Sequence, residues 1–534
     1  LQQSLYEAYH KGCLFIQTAI VKVTSSTTIP SPYLVSAAPI PTALALMALA
    51  TLQSEKLAGM EHAGKYLAAT RLPSGWGNTP AGPVNELATA ICTNALNCLE
   101  RGALSRELIH DSACLVARTW TQDFDRLAPD WLPKQDSPVL KLLQALVGRQ
   151  VVPTLETIRL KDLKSLSHFM PPYGRPTLLA VTLIKEINRC GLNEETRAAA
   201  LELCSLISPD GSWCQDIMVT SMSVLALYLA EIDQPLAKAC DWLCSVQYDH
   251  GGWPSFNQLF NWAVGWAAHL LPEEDPKILE YTTPYLLQAL NLDDSLGSTP
   301  PFSYPDLDDT AIGLLGLAMD PKVPPDKLEK IRDLLLRLQN WDGSWSTFPS
   351  FSGLPPDCRC DFPVYIKSED VTTHVLQALL KLGLPRDHSQ IGKGLNWLLK
   401  RQNTDGTWDS TWFLGKTYAT AQVLDLLLQL EPHSSALARG LRYLKFSQCA
   451  GHWDTASAGE TGLALHTLLK AGMVPTSPVI QKGLEYLISL QQPDGSFRPF
   501  YSGFYASRLY YEEPLSEGMA ALRAIKLYLR LAFK

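Results

Sequence analysis

The chain has 534 residues, 46% of them hydrophobic and 18% charged, with a formal net charge of -8. That length exceeds one ordinary core and implies two domains or one large repeat array. The composition excludes a disordered chain, and the acidic balance argues against nucleic acid as a partner.

Residues 1–17 predict an amphipathic helix, with Leu1, Leu5, Ala8 and Tyr9 spaced to share one face. A Ser/Thr/Pro-rich break follows at Ser25 to Pro32. The most apolar stretch, Pro41 to Leu52, is shorter than a membrane span and reads as a buried helix. No basic segment followed by an apolar one opens the chain, although Leu1 is no initiator Met. Helical patterns continue to about Leu271, where the polar seam Pro272-Glu273-Glu274-Asp275-Pro276 predicts a domain boundary. Residues 273–534 predict a second helical array. The 12 cysteines form no metal or disulfide framework; Cys92, Cys98, Cys204 and Cys240 read as buried thiols. A reducing, cytoplasmic setting fits them best.

Self-similarity organises both halves. An apolar helix ends in Gln, then Asp-Gly-Ser/Thr-Trp follows, then a polar stretch and another apolar helix. The clearest copies are Gln339 to Trp345, Gln402 to Trp408 and Gln491 to Phe497. Looser ones are Ser208 to Trp213, Gln247 to Trp253 and Gln448 to Trp453, and Ser74-Gly75-Trp76-Gly77 is degenerate. The aromatic positions 408, 453 and 497 lie 45 and 44 residues apart by subtraction, the period of a helical hairpin. Asp-Gly predicts a turn with glycine at positive φ. Gln suits the free backbone groups of the next helix, and Trp345, Trp408 and Trp453 read as structural ties between hairpins. Closed on itself, such an array is an α/α barrel with a central cavity. No alternating strand pattern of useful length appears, so the fold class is all-α, with two α/α-barrel domains.

Within the second array, Pro305-Asp306-Leu307-Asp308-Asp309-Thr310 places three carboxylates within four residues, directly before the apolar run Ala311 to Leu317. Crowded carboxylates repel one another's charge, so at least one stays protonated near neutral pH. A protonated acid in an apolar cavity can give its proton to a carbon–carbon double bond. The competing reading is an acidic helix start with Asp as cap and dipole partner.

The motifs together resemble class II terpene cyclases, the family that includes squalene–hopene cyclases and bacterial class II diterpene cyclases. Asp306-Leu307-Asp308-Asp309 is similar to the family's Asp-x-Asp-Asp acid motif, and the Gln…Asp-Gly-Ser/Thr-Trp units to its Gln–Trp repeats. Cys360-Asp361-Phe362 with Ser368 to Leu376 resembles the segment carrying the acid's His partner. Gly75-Trp76 with Pro80 to Leu87 resembles the first repeat of the smaller family domain. The resemblance implies a β domain at 273–534, a γ domain at 18–272 inserted after the N-terminal helix 1–17, and a hydrophobic cavity between them. It assigns Asp308 as general acid, with Asp306 and Asp309 tuning it. It also implies that His374 hydrogen-bonds Asp308, with Asp370 one helical turn before it.

Cationic intermediates need aromatic walls. Candidates are Phe302, Tyr304, Trp412, Tyr418, Tyr505, Tyr510 and Tyr511, each of which could equally be core. Shorter two-domain family members mostly take prenyl diphosphates, and no Asp-Asp-x-x-Asp ionisation motif lies outside the acid cluster. The expected substrate is therefore geranylgeranyl diphosphate, cyclised with its diphosphate retained; farnesyl diphosphate and squalene are alternatives. Lys416, Arg442, Lys445 and Arg508 are candidate diphosphate ligands, and surface lysines and arginines are the plainer reading. Magnesium commonly assists, with Glu86 as a candidate ligand. A homodimer and a downstream class I terpene synthase are the expected partners. A protein prenyltransferase subunit would need a zinc site with Asp-x-Cys, which is absent; Cys358-x-Cys360 with His374 is the nearest imitation. An α/α-barrel glycosidase would set two carboxylates apart across a polar cleft. A non-catalytic helical scaffold is the third competing reading.

Overall fold

In the computed structural model the chain is helical with two short strand pairs. The structure describes residues 2–25, 36–52, 56–80, 82–102, 104–127, 159–161, 163, 174–254, 259–297, 305–347, 367–501, 503–505 and 509–532; side chains at 117–127, 174, 504–505 and 509–510 are not among those described.

After α1 (Gln2–Ser25), the first hydrophobic core gathers α2 (Pro39–Leu49), α3 (Leu57–Ala69), α4 (Glu86–Arg101), α5 (Arg106–Leu127), α6 (Gly174–Cys190), α7 (Glu194–Ser205), α8 (Ile217–Leu229) and α9 (Leu236–Ser245). Helices α2 and α8 are apolar all round, as buried inner helices must be, and they pack on each other. Strand β1 (Ala37–Ala38) pairs antiparallel with β2 (Trp253–Pro254), joining the start of this array to its end. The Trp253 backbone N–H also donates to the Thr42 hydroxyl at 3.0 Å.

The second core comprises α10 (Phe260–Leu270), α11 (Ile278–Ala289), α12 (Leu307–Leu317), α13 (Pro325–Arg337), α14 (Glu369–Lys381), α15 (Ser389–Lys400), α16 (Thr417–Leu430), α17 (Ser435–Phe446), α18 (Ala458–Lys470), α19 (Pro478–Leu490) and α20 (Pro514–Ala532). Helices α10, α12, α14, α16, α18 and α20 touch in that order, and α20 touches α10, so they close an inner ring. The outer helices α11, α13, α15, α17 and α19 alternate with them, and α1 fills the remaining outer place against α20, α11 and α19. Because inner and outer helices alternate along the chain, all inner helices start at the same end of the barrel. A second hairpin pairs β3 (Gly503–Tyr505) with β4 (Leu509–Tyr511) at that end, just before α20.

Two boundary expectations are corrected. The N-terminal helix runs through Ser25 rather than ending at 17, because Ile16, Ala19, Ile20 and Val23 continue its buried face. The core changes between Trp253 and Phe260, not at residue 272. The Pro272–Pro276 seam is the turn from inner α10 to outer α11, and a tight helix–helix turn has the same polar, proline-bounded composition as a linker.

The repeats work as ties. The indole N–H of Trp345 donates to Leu335 O at 2.8 Å, and that of Trp408 to Leu398 O at 2.7 Å. Their backbone N–H groups donate to Thr372 and Thr420 on the next inner helix, each at 3.0 Å. Gln339 and Gln402 Nε2 reach carbonyls in the first turn of the next outer helix, at Gln390 and Ala436, each at 2.9 Å. Gln491 does the same to Ala8 O at 2.7 Å, so the last repeat docks on α1 and completes the barrel. Gly495 takes φ +93°, and a Cβ there would stand 2.3 Å from Lys11 O.

Candidate active site

The acid stretch forms the start of α12, and the helix-cap reading holds for one of its carboxylates only. Asp306 is the N-cap: its Oδ1 accepts from the backbone N–H groups of Asp308 at 2.9 Å and Asp309 at 3.2 Å. Thr310 donates its hydroxyl to Asp306 O at 2.5 Å and accepts from Leu296 N at 2.9 Å, which locks the turn. Capping frees the Asp308 side chain from the backbone. Its Oδ1 meets His374 Nδ1 at 2.7 Å. Asp308 is 6% exposed and His374 fully buried. Among the described residues the second Asp308 oxygen makes no hydrogen bond, and His374 Nε2 has no partner.

Burial raises the Asp309 carboxyl well above the usual range, with the nearby Asp306 and Asp308 charges adding to it. Burial and the Asp308 charge likewise raise Asp306, which shares a hydrogen bond with Asp309. A buried carboxyl pair kept at least partly protonated avoids three adjacent negative charges. A His374 Nδ1–H at this distance would stabilise an ionised Asp308 carboxylate.

The surroundings of the pair are aromatic. Trp262, Trp266 and Tyr418 stand edge-to-face to the His374 ring, with centroids at 5.5, 5.8 and 6.2 Å. Phe413 stacks on Tyr418 at 3.6 Å. These four rings line a cavity of roughly 570 Å³, including its open part, together with Glu460 and Glu513. Among the described residues the lining belongs to the second domain. The first domain abuts the same end, since Ser36 N donates to Glu512 O at 3.2 Å.

Other expected residues are distributed differently. Asp370 does not bond His374. Its Oδ2 accepts from the Ser410 hydroxyl at 2.5 Å and Thr411 N at 3.1 Å, because the helix start turns it toward that loop. It thereby fixes the segment carrying Trp412 and Phe413. Trp412 is half-buried and donates to the Thr347 hydroxyl at 2.8 Å, whose carbonyl in turn accepts from Leu307 N at 2.6 Å. Tyr418 and Tyr511 are buried, and burial raises both phenols well above their usual range. Lys416 is not in the cavity: it pairs with Asp405 of its own repeat at 3.1 Å, both groups substantially exposed. Arg442 and Lys445 lie exposed on outer helix α17. Phe302, Tyr304, Arg508, Cys358 and Cys360 lie outside the described residues, as do the side chains of Tyr505 and Tyr510. Glu86 is exposed in the first turn of α4, and among the described residues no group of three or more His, Cys, Asp or Glu is set to hold a metal ion. The described residues therefore do not fit a magnesium cage of protein ligands.

Sequence reasoning missed Trp262, Trp266, Phe413, Glu460 and Glu513. The signals were present: Trp262-x-x-x-Trp266 is an i, i+4 pair, and Glu460 interrupts an otherwise apolar helix. Glu460 is 2% exposed; its Oε2 accepts from Thr455 N at 2.9 Å, and burial pushes its carboxyl up to about 8.

Asp308 and His374 are not among the lining residues; the His374 ring stands behind Trp262, Trp266 and Tyr418, so the acid pair is separated from the cavity by its aromatic wall. Residues 301–511 match the family model of the squalene-hopene cyclase C-terminal domain. The chain is 26% identical over 347 residues to the squalene–hopene cyclase of Alicyclobacillus acidocaldarius, a match covering 55% of this chain and 54% of the relative. It is 26% identical over 246 residues to the dammaradiene synthase of Dryopteris crassirhizoma, covering 36% of each. The chain thus spans about half or less of the length of these relatives. Its fold is similar to that of the ent-copalyl diphosphate synthase from Streptomyces platensis, with TM-score 0.59 and 18% identity over 98% of this chain and 99% of that one. The family match thus falls on the second domain, and the chain is similar to class II terpene cyclases.

Proposed function

We propose that the protein catalyses a proton-initiated cyclisation of geranylgeranyl diphosphate to a bicyclic diterpenyl diphosphate of labdane or rearranged halimane/clerodane type. The observation that carries the mechanism is the 2.7 Å hydrogen bond from His374 to a buried Asp308 beside Trp262, Trp266 and Tyr418. In this reading Asp308 delivers its proton to the terminal alkene from the oxygen that His374 does not hold. The tertiary cation is then attacked by internal double bonds, and the rings lining the cavity stabilise it by roughly 0.5–2 kcal/mol each without capturing it. Excluding water keeps the cation from premature quenching. The diphosphate is retained, and a class I synthase that ionises it is the natural consumer of the product. Magnesium enters only as a companion of that diphosphate.

The diterpenyl substrate is supported by the like-sized copalyl diphosphate synthase fold. The squalene–hopene cyclase relatives favour the second reading, a triterpene substrate. No helix among the described residues is long and apolar enough to cross a membrane. The described cysteines are free thiols, which supports a cytoplasmic setting. The test is incubation with geranylgeranyl diphosphate, farnesyl diphosphate and squalene separately, then phosphatase treatment and mass spectrometry. Turnover of squalene alone would overturn the diphosphate reading. Turnover persisting in Asp308→Asn would overturn the mechanism.

A further inference from the structure

A cyclisation that begins by donating a proton must end by losing one. We infer that Glu513, in the turn before α20, is the general base that removes the terminating proton from the cyclised cation. The inference rests on the proton-initiated reading above.

Among the described residues three buried carboxylates line the cavity: Glu460, Glu513 and Glu517. Glu460 accepts at Oε2 from both the backbone N–H and the hydroxyl of Thr455, whereas Oε1 has no partner among the described residues. Burial pushes its carboxyl up to about 8, so a smaller fraction is ionised near neutral pH than of Glu513. Glu517 lies one turn further along α20, packed against Gly459. Glu513 is 2% exposed, and neither of its oxygens completes a hydrogen bond of good geometry among the described residues. Ser516, the Tyr511 hydroxyl and the Trp262 indole stand close enough to ease its charge. It is also near enough to the acid for its charge to act on Asp309. The group therefore shares the Trp262 wall with the donor, while belonging to a different inner helix.

Its chemistry suits the task. Burial pushes the Glu513 carboxyl up to about 7, so near neutral pH a large fraction is ionised and its conjugate acid is not strongly acidic. A base with a pKa near the working pH combines availability with driving force. In the step proposed, a C–H bond adjacent to the cationic carbon breaks, its electron pair becomes the new C=C bond, and the proton moves to a Glu513 oxygen. Asp308 has lost one proton and Glu513 has gained one, so substrate and product are isomers. Before that transfer, the ionised carboxylate also stabilises the approaching cation.

The experiment compares wild type, Asp308→Asn, Glu513→Gln and Glu513→Asp with the substrate that wild type turns over, scoring rate and product structure. The expected result for Glu513→Gln is loss of the alkene product by roughly 100-fold, with the remaining flux diverted to hydroxylated or differently placed alkene products. KM should be little changed, and Glu513→Asp should restore part of the original alkene. A merely structural Glu513 would lower folded yield or raise KM without altering the product ratio. Inactive Asp308→Asn alongside Glu513→Gln with wild-type rate and product would overturn the base and leave the cyclisation reading standing. Turnover surviving in Asp308→Asn, or no turnover of any of the three substrates by wild type, would overturn both.

Discussion

His374 shows how much of the site depends on one side chain's surroundings. It lies in the middle of α14, and among the described residues its Nε2 has no hydrogen-bond partner and its Nδ1 meets Asp308. Removing the imidazole leaves the Asp308 carboxylate without the donor that stabilises it after proton transfer. His374→Ala should therefore lower kcat by roughly 100-fold or more while leaving KM little changed. Steady-state kinetics on the accepted substrate, with a melting curve to confirm folding, decides this. An unchanged kcat would show that the hydrogen bond is structural. Asp306 illustrates the opposite case. It belongs to the acid motif, yet its side chain caps α12 and accepts from the backbone N–H groups of Asp308 and Asp309. The pattern Asp-x-Asp-Asp was legible in the chain, and so was a His at the right distance. The division of labour among the carboxylates was not, because it depends on which oxygen accepts from backbone N–H groups and which meets the His374 imidazole. Asp370 makes the same point: its spacing to His374 is right for a helical pair, but a loop 40 residues on offers better donors.

The repeat units are the parts most faithful to their local pattern. Asp-Gly-Ser/Thr-Trp contains its own turn: Asp342 and Asp405 accept from Ser344 and Thr407, and Gly343 and Gly406 take φ of +98° and +92°. The tryptophan then joins one outer helix to the next inner one. Such a unit is readable because everything it needs lies within about a dozen residues of sequence. Its partner helix is not local in the case of Gln491, whose acceptor Ala8 is 483 residues away. The closing contact is therefore the sensitive one. Gly495→Ala must place a Cβ 2.3 Å from Lys11 O at φ +93°, so both sterics and backbone conformation oppose it. The expected cost is about 2 kcal/mol or more, seen as a lower denaturation midpoint. Gly472→Ala is the control: its φ of +90° is similar, but nothing lies within 4 Å of the new atom. Equal losses in the two variants would mean that the contact with α1 adds nothing. Three of the charged candidates lie apart from the cavity lining for the converse reason. Lys416, Arg442 and Lys445 sit among repeat residues, and repeats present their lysines and arginines to solvent or to their own turns.

The barrel gathers carboxylates at the end where its inner helices begin: Asp306, Asp308 and Asp309 on α12, Glu369 and Asp370 on α14, Glu460 on α18, and Glu513 before α20. Lys381, Lys470 and Lys526 lie toward the opposite ends. This polarity complements the parallel inner-helix dipoles, and it has a consequence for pH. Burial raises Glu460 to about 8, and Glu369 and Glu513 to about 7. The folded chain thus holds protons that the unfolded chain releases near pH 4.5, so folding binds protons between that point and about pH 8. Stability from these groups is fully present at the acid side of the window and is lost as the pH rises through it. Groups held low, such as Asp425 and Glu186, change their contribution only at more acid pH. The melting temperature should accordingly be higher near pH 5.5 than near pH 8, by several degrees or about 2 kcal/mol or more. Scanning calorimetry in matched ionic strength tests it, and a rise in melting temperature over that range would show that these carboxyls ionise freely in the fold. Glu460→Gln should flatten the slope. What the chain carried in plain view was everything periodic or contiguous: helical hairpins, their turns, the acid stretch and its histidine. Those depend on local backbone preferences and on hydrophobic spacing. The place where one core ends and the other begins was misplaced, because a tight turn and a linker use the same residues. The aromatic wall, the second set of carboxylates and the protonation of each acid came from the closure of the ring. Only there do the starts of six inner helices meet and remove water from groups that sequence separates by more than two hundred residues.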